Sequence, residues 1–122
     1  MKKILILGTA LLCGFLCRVA AQGVEFRDLT FGQALEQART ENKLVFMDCY
    51  TSWCGPCKNM LKNVFTLPEA GEFMNAHFVC VKYDMEKGEG IGLKKQFAVR
   101  AFPTFFIIRP DGTVQHLSLI HI

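Results

Sequence analysis

The sequence predicts an α/β domain: a mixed sheet with helices on both faces. Three observations lead there. Residues 44–49 are apolar without alternation, broken only by Asp48, which is the pattern of a strand covered on both sides. Strand-like and helix-like stretches alternate from residue 24 to residue 97, which implies parallel pairing. Pro110-Asp111-Gly112 is a tight-turn sequence between two further strand-like runs, so a hairpin closes the sheet with an antiparallel edge. At 122 residues a single domain is expected, and 51% hydrophobic residues, 11 phenylalanines among them, suffice for a core.

The first 21 residues read as a secretory signal. Lys2 and Lys3 open it, residues 4–17 form an apolar run, and Val19-Ala20-Ala21 supplies small residues for cleavage after Ala21. The run is shorter than the ~20 residues of a membrane-spanning helix. An uncleaved anchor is the alternative. A lipoprotein is disfavoured because Cys13 and Cys17 each follow a leucine. Three of the 14 basic residues (Lys2, Lys3, Arg18) and none of the 11 acidic ones lie in this leader. The remainder is formally neutral, so no nucleic-acid partner is expected.

The domain is placed at residues 22–116. Residues 24–26 suggest a short strand. Thr30 reads as a helix N-cap. Phe31, Ala34, Leu35 and Ala38 make one apolar stripe with polar residues opposite, and Asn42 ends that helix. After the strand at 44–49, Cys57, Met60, Leu61, Val64 and Phe65 keep helical spacing. That helix is expected to end near Phe65. Thr66-Leu67-Pro68-Glu69 has the capping-box pattern, with proline in the first turn of the next helix. Residues 78–83 form the next buried strand, 86–90 a glycine-rich loop, 91–97 a short helix and 105–108 a strand. Residues 113–115 begin its hairpin partner. Residues 117–122 read like the translated end of a sequencing adapter. They are expected to be a non-native tail on a truncated chain whose C-terminal covering helix is missing. The sheet face left open predicts aggregation.

Without the leader four cysteines remain: Cys49, Cys54, Cys57 and Cys80. Cys54 and Cys57 stand at a strand-to-helix junction. A helix N-terminus carries partial positive charge and free N–H groups, which favour thiolate over thiol. Cys54, nearer the end and more exposed, is expected to attack a substrate disulfide. Cys57, inside the first turn and more covered, is expected to resolve the mixed disulfide. Gly55 and Pro56 hold the turn. An inert disulfide is the bland alternative. Zinc usually needs four ligands, and Cys49, His77 and Cys80 are scattered, so no metal is expected. Cys49 and Cys80 fall in strands expected to be neighbours, either as free buried thiols or as a second disulfide.

Trp53-Cys54-Gly55-Pro56-Cys57-Lys58 resembles the active-site motif of the thioredoxin superfamily. Residues 99–104, Val-Arg-Ala-Phe-Pro-Thr, resemble its cis-proline loop. The chain looks closest to exported thioredoxin-like proteins and to the periplasmic domain of transmembrane disulfide reductases. The resemblance implies a thioredoxin-like fold. It implies that Cys54 is the nucleophile and Cys57 the resolving thiol, with their disulfide as the redox group and no other cofactor. It makes Trp53 the wall of the substrate groove, Pro103 a cis-proline facing the dithiol, and Phe102 a residue whose backbone pairs with substrate.

Asp48 matches the family's buried acid, suited to take a proton from Cys57. An edge acid capping a loop is its alternative. Family members pair that acid with a lysine on the neighbouring strand. Counting back from Asp84 puts Cys80 at that position and Lys82 two residues on, a departure that leaves the acid's partner open.

The function expected is reduction or isomerisation of disulfides in exported proteins, in the periplasm, by a monomer fed by a membrane disulfide reductase. The Gly-Pro pair between the cysteines resembles that of reductases, although poise depends on thiolate stabilisation. A redox-inert module binding peptides or proteins is the alternative from another class.

Overall fold

A computed structural model describes residues 23–119. The expected leader and the end of the expected tail lie outside these residues. The described chain runs α1 (Phe31–Glu41), β1 (Leu44–Tyr50), α2 (Gly55–Asn63), α3 (Pro68–His77), β2 (Phe78–Asp84), α4 (Glu89–Gln96), β3 (Thr104–Ile108) and β4 (Val114–Leu119).

The four strands lie in the order β2-β1-β3-β4. β1 and β2 pair in parallel, from Leu44 opposite Phe78 to Tyr50 opposite Asp84. β3 is antiparallel to both β1 and β4. The central strand β1 is buried at its five inner positions, as its unbroken apolar run requires. Val45, Met47 and Cys49 face one core, with Ala34 and Ala38 of α1, Leu93 of α4, and Phe106. Phe46 faces the other, with Phe65, Cys80 and Phe105, and with Met60, Val64 and Met74 against them. Helices therefore cover both faces: α1 and α4 on one, α2 and α3 on the other. The second core is an aromatic cluster. Phe46 stacks on Phe105 at 5.5 Å, and Phe65 meets both rings edge-on at 5.9 and 5.8 Å.

Local signals explain most boundaries. Thr30 caps α1 by accepting from the Gln33 N–H at 3.2 Å, and the Gln33 side chain accepts from the Thr30 N–H at 2.9 Å. This is a full capping box. Asn42 ends α1 in the left-handed region, at φ 55°. The N-terminal segment is latched rather than woven. It touches β2 through one parallel bridge, Phe26 to Cys80, in place of the strand expected at 24–26. Val24 N–H donates to the Phe65 carbonyl at 2.7 Å, and the Asn75 side chain bonds both Glu25 N–H and Gly23 C=O. A Cβ on Gly71 would lie 2.1 Å from the Gly23 carbonyl oxygen, so α3 needs glycine there.

Two expectations about helix ends need correction. Thr66 forms no capping box: its hydroxyl donates back to the Lys62 carbonyl at 2.6 Å, and Leu67 is the uncapped start of α3. The preceding turn claims the hydroxyl first. α2 stops at Asn63, and Phe65 is buried from a turn, its N–H donating to the Met60 carbonyl. The boundary at residue 116 falls inside β4, where Leu117 pairs with Phe106 and Leu119 with Thr104. All of β4 is exposed.

Candidate active site

The site assembles at one end of the sheet, where β1 and β2 reach their carboxyl ends and β3 begins. β1 delivers the chain through Thr51 to Cys54. β2 leads into the loop bearing Glu86. Antiparallel pairing sets Thr104 opposite Cys49, which puts Phe102 and Pro103 beside the exit of β1.

Cys54 is the N-cap of α2, and its sulfur accepts from the Cys57 N–H at 3.1 Å. Pro56 occupies the first turn, where its missing N–H costs nothing. Cys54 and Cys57 form a disulfide with their Cα atoms 5.3 Å apart. Both are buried, Cys54 to 3% exposure and Cys57 to 5%. The expected contrast between an exposed Cys54 and a covered Cys57 is therefore absent in this disulfide form. In this form the Cys54 sulfur lies over the first turn of α2, bonded to Cys57 and accepting from its N–H. Gly55 is exposed and Pro56 half-buried on the rim.

Trp53 is 66% exposed. Its ring meets Phe102 edge-on at 5.9 Å, and its indole N–H donates to Glu86. Phe102 is half-buried, Pro103 is buried, and the peptide bond between them is cis. The Lys94 ammonium lies over the Phe102 ring at 5.8 Å from its centroid. Trp53, Phe102 and Lys94 thus make a continuous ledge beside the dithiol.

Asp48 points to the α2 face of the sheet and is 3% exposed. It lines a cavity of about 180 Å³ with Tyr50, Thr51, Cys57, Leu61 and Lys82. Burial pushes its carboxyl up from 3.8 to about 7, and the charge of Lys82 pulls part of the way back. Neither Asp48 Oδ1 nor Thr51 Oγ1 hydrogen-bonds to a protein atom. The sequence count that put Cys80 across from the acid is corrected by the register: Lys82 pairs with Asp48, and Cys80 pairs with Phe46. The Lys82 ammonium rests over the Phe26 ring at 5.4 Å.

Cys49 and Cys80 are free and buried. Their second-disulfide alternative fails on geometry. Cys80 pairs with a residue three positions before Cys49, so the two thiols point to opposite faces and into different cores. Burial pushes both thiols up, Cys80 to about 12. Among the described residues no cluster of three metal-ligating side chains occurs. Glu86 and Lys94 were not anticipated from sequence. Each is one charge among several in its polar stretch, and only folding puts it against an aromatic ring.

The family model Thioredox_DsbH, described as "Protein of unknown function, DUF255", matches residues 10–101. Thioredoxin-1 from Drosophila yakuba is 35% identical over 88 residues, which are 72% of this chain and 76% of that protein. The chain belongs to the thioredoxin superfamily. A candidate disulphide-isomerase from Bacteroides thetaiotaomicron has a solution structure that superposes with a TM-score of 0.71. It is 47% identical, with 80% of each chain covered. The thiol:disulfide interchange protein DsbD from Pseudomonas fluorescens is 31% identical over 81 residues, 66% of this chain. This superfamily member spans only 14% of that DsbD, and 52% of thioredoxin-2 from Pyricularia oryzae. It is a thioredoxin-like oxidoreductase by family, with its cysteine pair closed into a disulfide.

Proposed function

We propose that the protein reduces or isomerises disulfides of exported proteins through the Cys54–Cys57 dithiol. The observation that carries this reading is the cysteine pair at the start of α2, whose Cys57 borders the same cavity as the buried Asp48.

In the reduced protein, the Cys54 thiolate is stabilised by the N–H groups of the first turn of α2. It attacks one sulfur of a substrate disulfide, and the other substrate sulfur leaves as a thiolate that takes up a proton. Cys57 then gives its proton to the Asp48 carboxylate and attacks Cys54, releasing the second substrate thiol. Two electrons pass to the substrate and the Cys54–Cys57 disulfide forms. In isomerisation, another substrate thiolate attacks the substrate sulfur of the mixed disulfide instead, which forms a new substrate disulfide and expels Cys54 as its thiolate, so the dithiol is recovered. Trp53, Gly55, Pro56, Phe102 and Pro103 form the surface on which an extended substrate lies. A membrane disulfide reductase is the proposed electron donor, and the apolar N-terminal segment supports a periplasmic location. Among the described residues no helix is long and apolar enough to cross a membrane.

The test is insulin reduction with dithiothreitol as electron source. Turbidity should develop faster than with the Cys54→Ser variant. Equal rates would remove the enzymatic reading in favour of a peptide-binding module.

A further inference from the structure

The aromatic ledge does not end at Phe102. It opens into a groove of about 520 Å³ whose walls include Glu86, Ile91, Lys94, Lys95, Val99 and Arg100. Two contacts join this groove to the dithiol. Trp53, adjacent to Cys54, is bonded to Glu86, and Lys94 lies over the ring of Phe102. A peptide whose cysteine reaches Cys54 past Trp53 and Phe102 therefore continues along α4.

The groove has a distinct charge. Lys94, Lys95 and Arg100 are exposed, and none is in an ion pair among the described residues. The carboxylate on its wall, Glu86, is engaged by the Trp53 indole. The nearby Glu89 is occupied elsewhere, accepting from the Phe31 N–H at 3.0 Å. Ile91, 50% exposed, gives the groove an apolar patch between its cations.

We propose that this groove selects disulfide-bearing segments with acidic side chains flanking the cysteine. The inference rests on the redox reading above and adds a specificity to it. Three unpaired cations in an open groove attract an anionic segment and raise its encounter rate, an effect that salt weakens. The backbone is left to the ledge, and the acidic side chains meet Lys94, Lys95 and Arg100.

The experiment compares matched short peptides, each with one cysteine in mixed disulfide with 2-mercaptoethanol and flanked by glutamate, glutamine or lysine. At low ionic strength kcat/KM for the glutamate peptide should exceed that for the glutamine peptide by about tenfold, with the lysine peptide slowest. The ratio should shrink several-fold at about 0.5 M salt. In the triple variant Lys94→Gln, Lys95→Gln, Arg100→Gln the ratio should fall to within about twofold. Equal rates for the three peptides in the unmodified protein, or a ratio unchanged in the variant, would overturn the proposal.

Hydroxyethyl disulfide, small and neutral, separates the two readings. If it and the peptides all fail to react, the redox reading is what fails. Binding of the same peptides to the oxidised protein, followed by fluorescence of the single tryptophan, then decides the groove. Tighter binding of the glutamate peptide supports it, and equal affinities overturn it.

Discussion

Asp48 and Lys82 stand directly opposite each other in the parallel pairing of β1 and β2, and both line the cavity that Cys57 borders. The carboxyl is buried without a hydrogen bond to Oδ1, and the lysine is near enough to temper its pKa while its ammonium rests on Phe26. A buried acid held near neutrality is suited to accept and return a proton at working pH. It is also a liability for stability.

That liability has a definite sign. The folded-state pKa of Asp48, about 7, lies above the unfolded value near 3.8. The native protein holds this proton more tightly, so stability falls as pH rises from about 4 to about 7 and stays reduced above that. Asp48→Asn should stabilise the protein at about pH 8 more than at about pH 4, the difference being on the order of 3 kcal/mol. Urea unfolding at the two pH values measures it. A gain independent of pH would mean that Asp48 titrates normally.

The helix start should divide the two thiols once they are reduced. Cys54 is expected to react with iodoacetamide faster than Cys57, with half-maximal rate at a pH below the ordinary thiol value of about 8.5. Mass mapping of the labelled peptides gives both numbers. Slow and equal labelling would favour a disulfide that serves only structure.

Trp53 should depend on Glu86. Glu86→Ala removes the acceptor of the indole N–H. The emission of this single tryptophan should shift, and kcat/KM for peptide disulfides should fall about two- to fivefold. Because Glu86 is exposed, stability should change by less than about 0.5 kcal/mol. An unchanged emission spectrum would argue against the contact in solution.

Cys49 and Cys80 should remain thiols under oxidising conditions. Non-reducing mass analysis should find one disulfide among the four cysteines of the domain. Both thiols should take up label only after unfolding, since burial raises both. A Cys49–Cys80 crosslink would require a register other than the one that pairs Cys80 with Phe46.

Gly71 should be among the least replaceable positions away from the dithiol. In Gly71→Ala the new methyl group meets backbone atoms of Gly23, which cannot swing aside as a side chain would. A loss of about 2–3 kcal/mol in denaturant unfolding is expected. A loss below about 0.5 kcal/mol would mean that the N-terminal latch is dispensable.

Local chemistry was legible where it needed no distant partner. Thr30 and Asn42 bracket α1 by their own hydrogen bonding and backbone preference. The run around Phe46 declared a strand buried on both faces. Two thiols three positions apart, ahead of a helical stripe, announced the Cys54–Cys57 pair at the start of α2. Thr66 misled because one hydroxyl had two acceptable local uses, and only the turn above it decided between them.

By itself, then, the sequence determined the order of elements from α1 onward, the dithiol at the start of a helix and the acid six residues before it. Each follows from periodicity, capping or spacing within a few residues. The tertiary structure alone decided that Lys82 rather than Cys80 faces Asp48, and that Cys49 and Cys80 look away from each other. It also decided that Glu86 and Lys94 attend the rings beside the dithiol. Those relationships depend on strand register and loop placement. A shift of one residue in register turns every side chain to the other face of the sheet, so the pairing emerges only when both cores pack at once.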